Sequence, residues 1–153
     1  MTFKQKICEA KKRDIHIPDD LLGDENIVGV YGFFAIKRDE EHCFYIGKST
    51  DITYRLLGSS NGHVYLYFKN EYSNLVPQKI NEYLNQEYKI DVRILDKIDY
   101  NDTSFSKAAH RLAFAELQRI IQYQEQGQCE FQVPEGSGKY EEKYWEEHYK
   151  IVK

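Results

Sequence analysis

The feature that most constrains this chain is a pair of strand-like runs separated by a short charged interruption. Ile27 to Ile36 is rich in β-branched and aromatic residues and stops at Lys37-Arg38-Asp39-Glu40-Glu41, and a second such run follows from His42 to Gly47. Two strands so close in sequence are expected to pair as an antiparallel hairpin. Because side chains alternate with a period of two, Tyr31 and Tyr45 share one face if residues opposite each other have an even sum.

Helix signals follow the hairpin. Ser49-Thr50-Asp51 offers N-cap groups for a short helix ending at Leu57, with Gly58 as its stop. Residues 59 to 74 read as mixed, since Gly62 and its neighbours favour turns whereas Val64 to Phe68 resembles a short strand or a packed aromatic segment. Pro77 fits the first turn of a helix carrying Ile80, Tyr83 and Leu84, and Ile90 to Ile98 alternates as a third strand. Thr103 or Ser104 then caps a long helix whose apolar face runs through Leu112, Ala113, Leu117, Ile120 and Ile121, with Gly127 beyond its end.

The two ends read differently. Residues 1 to 13 are basic and residues 14 to 30 acidic, so 1–26 is expected to be an extension made of a solvated helix and a Pro18-containing loop. From 134 to the end, Tyr140, Tyr144, Trp145, His148 and Tyr149 are spaced as an aromatic stripe on a terminal helix expected to pack on the domain. A chain of 153 residues is enough for one core, and its net charge of −4 argues against a polycation, so any nucleic-acid contact must come from a local positive groove. Three cysteines without a C-x-x-C pair do not make a disulfide scaffold. No signal-peptide or membrane-spanning run is present, and a soluble, cytoplasmic protein with no membrane association is expected.

Gly29-Val30-Tyr31 and Tyr45-Ile46-Gly47 thus lie on neighbouring strands. Thirteen residues separate the two tyrosines, Arg55 comes eight residues after Gly47, and Glu116 lies on a later helix. In these features the chain resembles the GIY-YIG nucleases over roughly residues 27 to 133, with Val30 replacing the isoleucine of the first tripeptide. The resemblance implies an α/β fold of α+β type, a small three-stranded antiparallel sheet flanked by helices. It also implies a metal-dependent DNA endonuclease.

Phosphodiester hydrolysis needs a deprotonated water, neutralisation of charge on the phosphate and stabilisation of the leaving oxygen. On the resemblance, Glu116 holds Mg2+ or Mn2+, Tyr31 activates or orients water with help from Tyr45, and Arg55 contacts the phosphate. A single carboxylate suffices for magnesium, which keeps several waters. Glu116 lies on an otherwise apolar side of its helix, where an unpaired carboxylate is costly unless a cation or donor meets it; a salt bridge at the edge of the stripe is the other reading. Gly29 and Gly47, with Lys48, are expected near the phosphate, the glycines either admitting close approach or relieving a bulge.

His63 lies beyond Arg55, where the family often carries an acid–base residue, although Gly58 to Gly62 obscures the spacing. The family Asn after the Glu-bearing helix is missing, and Gln132, the nearest amide, is expected to take its place in contacting substrate with a longer arm. DNA is the expected partner, no residue argues against RNA, and a homodimer or larger assembly stays open. A catalytically weakened, nuclease-fold DNA-binding module or assembly subunit is the alternative, and restriction, mobile-element and repair roles remain equally open.

Overall fold

The computed structural model describes residues 1–152. Helix α1 (Phe3–Lys12) opens with a reciprocal cap between Thr2 and Gln5, and Asp14, with φ of 62°, turns the chain into the two-residue strand β1 (Ile15–His16). A single 3-10 turn (Asp19–Leu21) leads to the hairpin of β2 (Gly29–Lys37) and β3 (Glu40–Ser49). Helices α2 (Ile52–Leu57), α3 (His63–Phe68) and α4 (Leu75–Asn85) follow, then β4 (Lys89–Lys97), α5 (Phe105–Gln124) and α6 (Lys139–His148).

The sheet has four strands in the order β1-β4-β2-β3, and it is mixed. This corrects the expected three-stranded antiparallel sheet. The fourth strand is β1, which pairs parallel to β4 through Ile15 with Ile90 and His16 with Asp91. Two residues are too few to show a period, so nothing in the sequence announces it. Residues 1–26 are built into the domain, since Ala10, Ile15, Ile17 and Leu21 lie in the main core.

Strand β2 is central, paired antiparallel to β3 and to β4, and its residues from Gly29 to Ala35 are all buried. One face of the sheet carries Tyr31, Phe33 and Ala35, which pack with Ile52, Leu56, Val64 and Ile80 of α2 to α4. The other face carries Val30, Phe34 and Ile46, covered by Leu112 of α5 together with Cys43 and Cys129. The β2–β3 register changes between Phe33 and Phe34, leaving Phe44 as an extra residue that points to the same side as Tyr45.

Beyond α5 the chain returns along β3, a sheet edge whose unpaired backbone groups would otherwise face solvent. Cys43 N–H donates to Gln128 Oε1 at 2.7 Å and Cys129 N–H to Cys43 O at 3.1 Å. The Gln132 amide then spans Ile46, accepting from its N–H at 2.6 Å and donating to its carbonyl at 2.7 Å. The segment 59–74, read as mixed, contains α3.

Helix α6 forms where its stripe was read, but it does not pack on the domain as expected. None of its residues is buried, and Tyr140, Tyr144, Trp145 and Tyr149 all face solvent. Helical spacing fixes which residues share a face, not whether a second surface meets that face.

Candidate active site

The antiparallel register places Tyr31 opposite Gly47 and Phe33 opposite Tyr45, each pair with an even sum. Tyr31 and Tyr45 therefore share a face, with ring centroids 6.3 Å apart. His63, the first residue of α3, completes this cluster. Its Nε2 lies 3.0 Å from Tyr31 Oη, and its ring centroid is 5.3 Å from that of Tyr45. Tyr31 and His63 are both buried, and Tyr45 is half-buried.

Burial sets the protonation states. It pushes the Tyr31 phenol well above its usual value, helped by Tyr45, while the Arg55 guanidinium pulls the other way. Tyr45 is raised for the same first reason, again against Arg55. His63 is pushed down from 6.5 to about 3 by burial and then by the positive charge of Arg55, so it is a neutral imidazole at neutral pH. The Glu116 carboxylate adds to the rise at both tyrosines, which places its charge within reach of the cluster.

Arg55 rides on α2, whose N-cap is the Asp51 side chain accepting from Tyr54 N–H at 3.0 Å. Its guanidinium donates to the Asn61 carbonyl at 3.2 Å, so it ties α2 to the turn that delivers His63. A residue unmarked by the sequence steadies this unit. Lys6 of α1 is buried, and its ammonium donates to Leu57 O at 2.5 Å and Ser59 Oγ at 3.3 Å while lying 4.2 Å from the Tyr65 ring centroid. These contacts hold the C-terminal end of α2. Among Lys4, Lys6, Lys11 and Lys12, nothing in the sequence marks Lys6 out.

Glycine is needed at both motif positions for structural reasons. A Cβ on Gly47 would stand 2.5 Å from Tyr31 Oη, because that ring lies across the backbone of β3. A Cβ on Gly29 would run into the Asp96 carbonyl oxygen of β4, next to the register shift between Val30 and Tyr31. The contacts at both glycines are close packing within the sheet, a reason distinct from phosphate approach, and at Gly29 they lie beside the register shift.

Glu116 and Lys48 project from the α5 side. Together with Tyr45 they line one groove of about 640 Å³. Glu116 is half-buried, and burial raises its pKa, with Glu135 adding to the rise; Lys48 opposes both through its ammonium and its backbone N–H. The Lys48 ammonium itself lies 3.8 Å from Glu135 Oε1, a side chain almost wholly in solvent. A larger cavity, about 920 Å³, lies between α1 and α2 and is lined by none of the candidate residues.

Gln132, expected to contact substrate, has its amide fully engaged by the Ile46 backbone and acts as a clasp on the edge strand. Among the described residues no three His, Cys, Asp or Glu side chains stand close enough to share an ion. A divalent cation at this groove would take Glu116 as its protein carboxylate, with water and phosphate oxygens completing a donor set of the kind magnesium accepts. A half-buried carboxylate with a raised pKa is also a group that a cation would stabilise. No family profile, curated protein or solved structure matches this chain.

Proposed function

We propose that the chain is a divalent-metal-dependent DNA endonuclease of the GIY-YIG type, with Tyr31, Tyr45, Arg55, His63 and Glu116 as its catalytic residues. The observation that carries this reading is the buried Tyr31–His63 hydrogen bond, set beside Tyr45 and within the field of both Arg55 and Glu116. A buried phenol needs a hydrogen-bond partner of some kind, and here that partner is a group able to take its proton.

In this mechanism the attacking water gives its proton to Tyr31 Oη as the phenol passes its own to His63 Nε2. The imidazole tautomer required is the one protonated on Nδ1. Burial, the larger cause of the low His63 pKa, opposes imidazolium, and a phosphodiester anion beside His63 offsets the second cause, the Arg55 charge, so the imidazolium is a transient carrier that passes its proton on. Arg55 exchanges its Asn61 contact for phosphate oxygens, to which a guanidinium presents two parallel donors. Tyr45 donates a hydrogen bond to the same phosphate. Glu116 would hold Mg2+ or Mn2+, which when bound would supply Lewis-acid stabilisation of the phosphate and the leaving oxygen.

The test incubates the native protein and Glu116→Ala with supercoiled plasmid, branched DNA and single strands, in magnesium, manganese or EDTA at low salt, where phosphate contacts are strongest. Cutting by the native protein alone, stopped by EDTA, is expected. Full metal-dependent cleavage by Glu116→Ala refutes the assignment. One observation favours a second reading: with the Gln132 amide committed to β3, no free amide stands in for the family Asn. A nuclease-fold binding module follows if both proteins bind DNA and neither cuts.

A further inference from the structure

The groove that holds Glu116, Tyr45 and Lys48 continues into an apolar trough that phosphodiester chemistry does not use. Leu117 and Ile121 of α5 line it together with Phe131 of the returning segment. Phe131 is 68% exposed, and the Lys79 ammonium sits over one face of its ring, 4.7 Å from the centroid. Its opposite face is left without a cation. The volume falls within the range of small-molecule sites, about 300–1,000 Å³.

A fully stacked duplex cannot fill such a trough. It presents phosphates and base edges, whereas the flat faces of its bases are hidden in the stack. An unpaired base has an exposed π-face, and exposed aromatics beside cationic side chains are how sequence-tolerant single-strand sites are built. Here the aromatic and aliphatic surface lies between two ammonium groups, Lys48 at the Glu116 end and Lys79 over Phe131, either of which can meet a phosphate of the strand. Each ammonium has an exposed carboxylate beside it that a phosphate can displace, Glu135 at 3.8 Å from Lys48 and Glu82 at 3.2 Å from Lys79.

Resting on the nuclease reading, we infer that the groove takes an unpaired nucleobase next to the scissile phosphate, so that the preferred substrate is forked or single-stranded DNA rather than uninterrupted duplex. Base identity matters little. The amide donors lining the groove are engaged, the Gln132 Nε2 by the Ile46 carbonyl and the Gln124 Nε2 by the carbonyls of Cys129 and Gln132, at 3.1 and 3.2 Å, which leaves the Gln124 Oε1 as the amide acceptor a base edge could meet.

The experiment uses one oligonucleotide sequence as single strand, fork and full duplex, with 2-aminopurine at the junction, in EDTA and low salt. Anisotropy gives the affinity and 2-aminopurine quenching reports stacking. The full-length protein is expected to bind fork and single strand at least about tenfold more tightly than duplex and to quench the probe. Phe131→Ala should lose the quenching and weaken fork binding by about 5- to 150-fold, while Phe131→Tyr retains both. Since Phe131 is mostly exposed, circular dichroism of both variants should match the native protein. Exchanging the base at the junction should change affinity less than about threefold, as stacking does not read base edges.

Equal affinity for duplex and fork overturns the inference, as does a Phe131→Ala protein that still quenches. Binding without quenching in the native protein also overturns it, the trough then being occupied by another surface such as the aromatic face of α6. Adding magnesium separates the two proposals. A fork bound with quenching but left uncut refutes the nuclease reading and leaves the base site standing, whereas duplex cutting without fork preference does the reverse.

Discussion

Acidification tests how His63 is held. Burial and the Arg55 charge push its imidazole down to about 3, whereas in the unfolded chain it takes a proton near 6.5. Between those values the unfolded state binds more protons, so stability rises with pH through this window and is lost as the pH falls. The contribution is complete above about pH 6.5, lower by about 2 kcal/mol at pH 5, and lower by about 4–5 kcal/mol at pH 3.

The assay is urea unfolding at about pH 7 and pH 5 for the native protein and His63→Gln, which keeps an amide near Tyr31 but cannot titrate. Carboxylates contribute their own pH dependence to both proteins, so the difference between the two slopes isolates His63. The native protein should lose about 2 kcal/mol more than the variant over those two units. Far-UV circular dichroism should follow the transition, because the one tryptophan, Trp145, lies on α6 and does not report on the core. Equal losses in the two proteins would mean that His63 is not buried as a neutral imidazole, and the Tyr31 relay falls with it.

Three further outcomes follow from particular contacts. Gly47→Ala must displace the Tyr31 ring, since its Cβ would stand 2.5 Å from the hydroxyl; a cost of about 1–3 kcal/mol and a Tm lower by roughly 2–10 °C are expected, and an unchanged Tm refutes the close approach. Gln132→Leu removes both hydrogen bonds to Ile46, so a loss of about 1–3 kcal/mol with faster exchange of the Ile46 N–H is expected, and native-like protection at that amide would show that the clasp is unimportant. Ending the chain after Ser137 removes α6, which buries nothing; a change beyond about 1 kcal/mol in unfolding free energy would contradict its exposure.

What the sequence revealed and what it hid divide along physical lines. Strand alternation and an even-sum register are local patterns, and they were enough to bring Tyr31 and Tyr45 onto one face. The Asp51 and Ser104 caps were legible because capping is read within three residues. His63 is different. Its approach to Tyr31 depends on the turn between α2 and α3, whose path is set by Arg55 holding Asn61 and Lys6 holding Leu57 and Ser59. None of those contacts has a periodic signature. Helix α3 is only six residues, a length at which Val64 to Phe68 reads equally well as a strand. The sequence puts Gln132 near the site without showing that its amide bonds the Ile46 backbone, because an amide that binds substrate and one that clasps an edge strand look alike in sequence.

The electrostatics of the cluster have a single direction. Burial moves Tyr31 and Tyr45 up, Glu116 up and His63 down, which in every case favours the neutral form. Four groups that differ in chemistry are thus pushed away from charge by the same low-dielectric surroundings, while Arg55 and Lys48 at their margins carry positive charge. On the nuclease reading this matters because charge develops only during the reaction, on the attacking oxygen, the phosphate and the leaving oxygen. A site whose phenols and imidazole start neutral loses little solvation as substrate binds, and Arg55 and Lys48 then meet the phosphate with Glu116 as the half-buried carboxylate beside Lys48. Placing a fixed negative charge at the phenol position should therefore be damaging. Tyr31→Glu places a carboxylate where burial opposes it and where Arg55 is the nearest cation, so it should pair with Arg55, withdraw the guanidinium from the phosphate and weaken DNA binding as well as cleavage, whereas Tyr31→Phe should leave binding intact and remove cleavage. Equal DNA affinity in the two variants, measured in EDTA, would refute this account of how Arg55 is kept available.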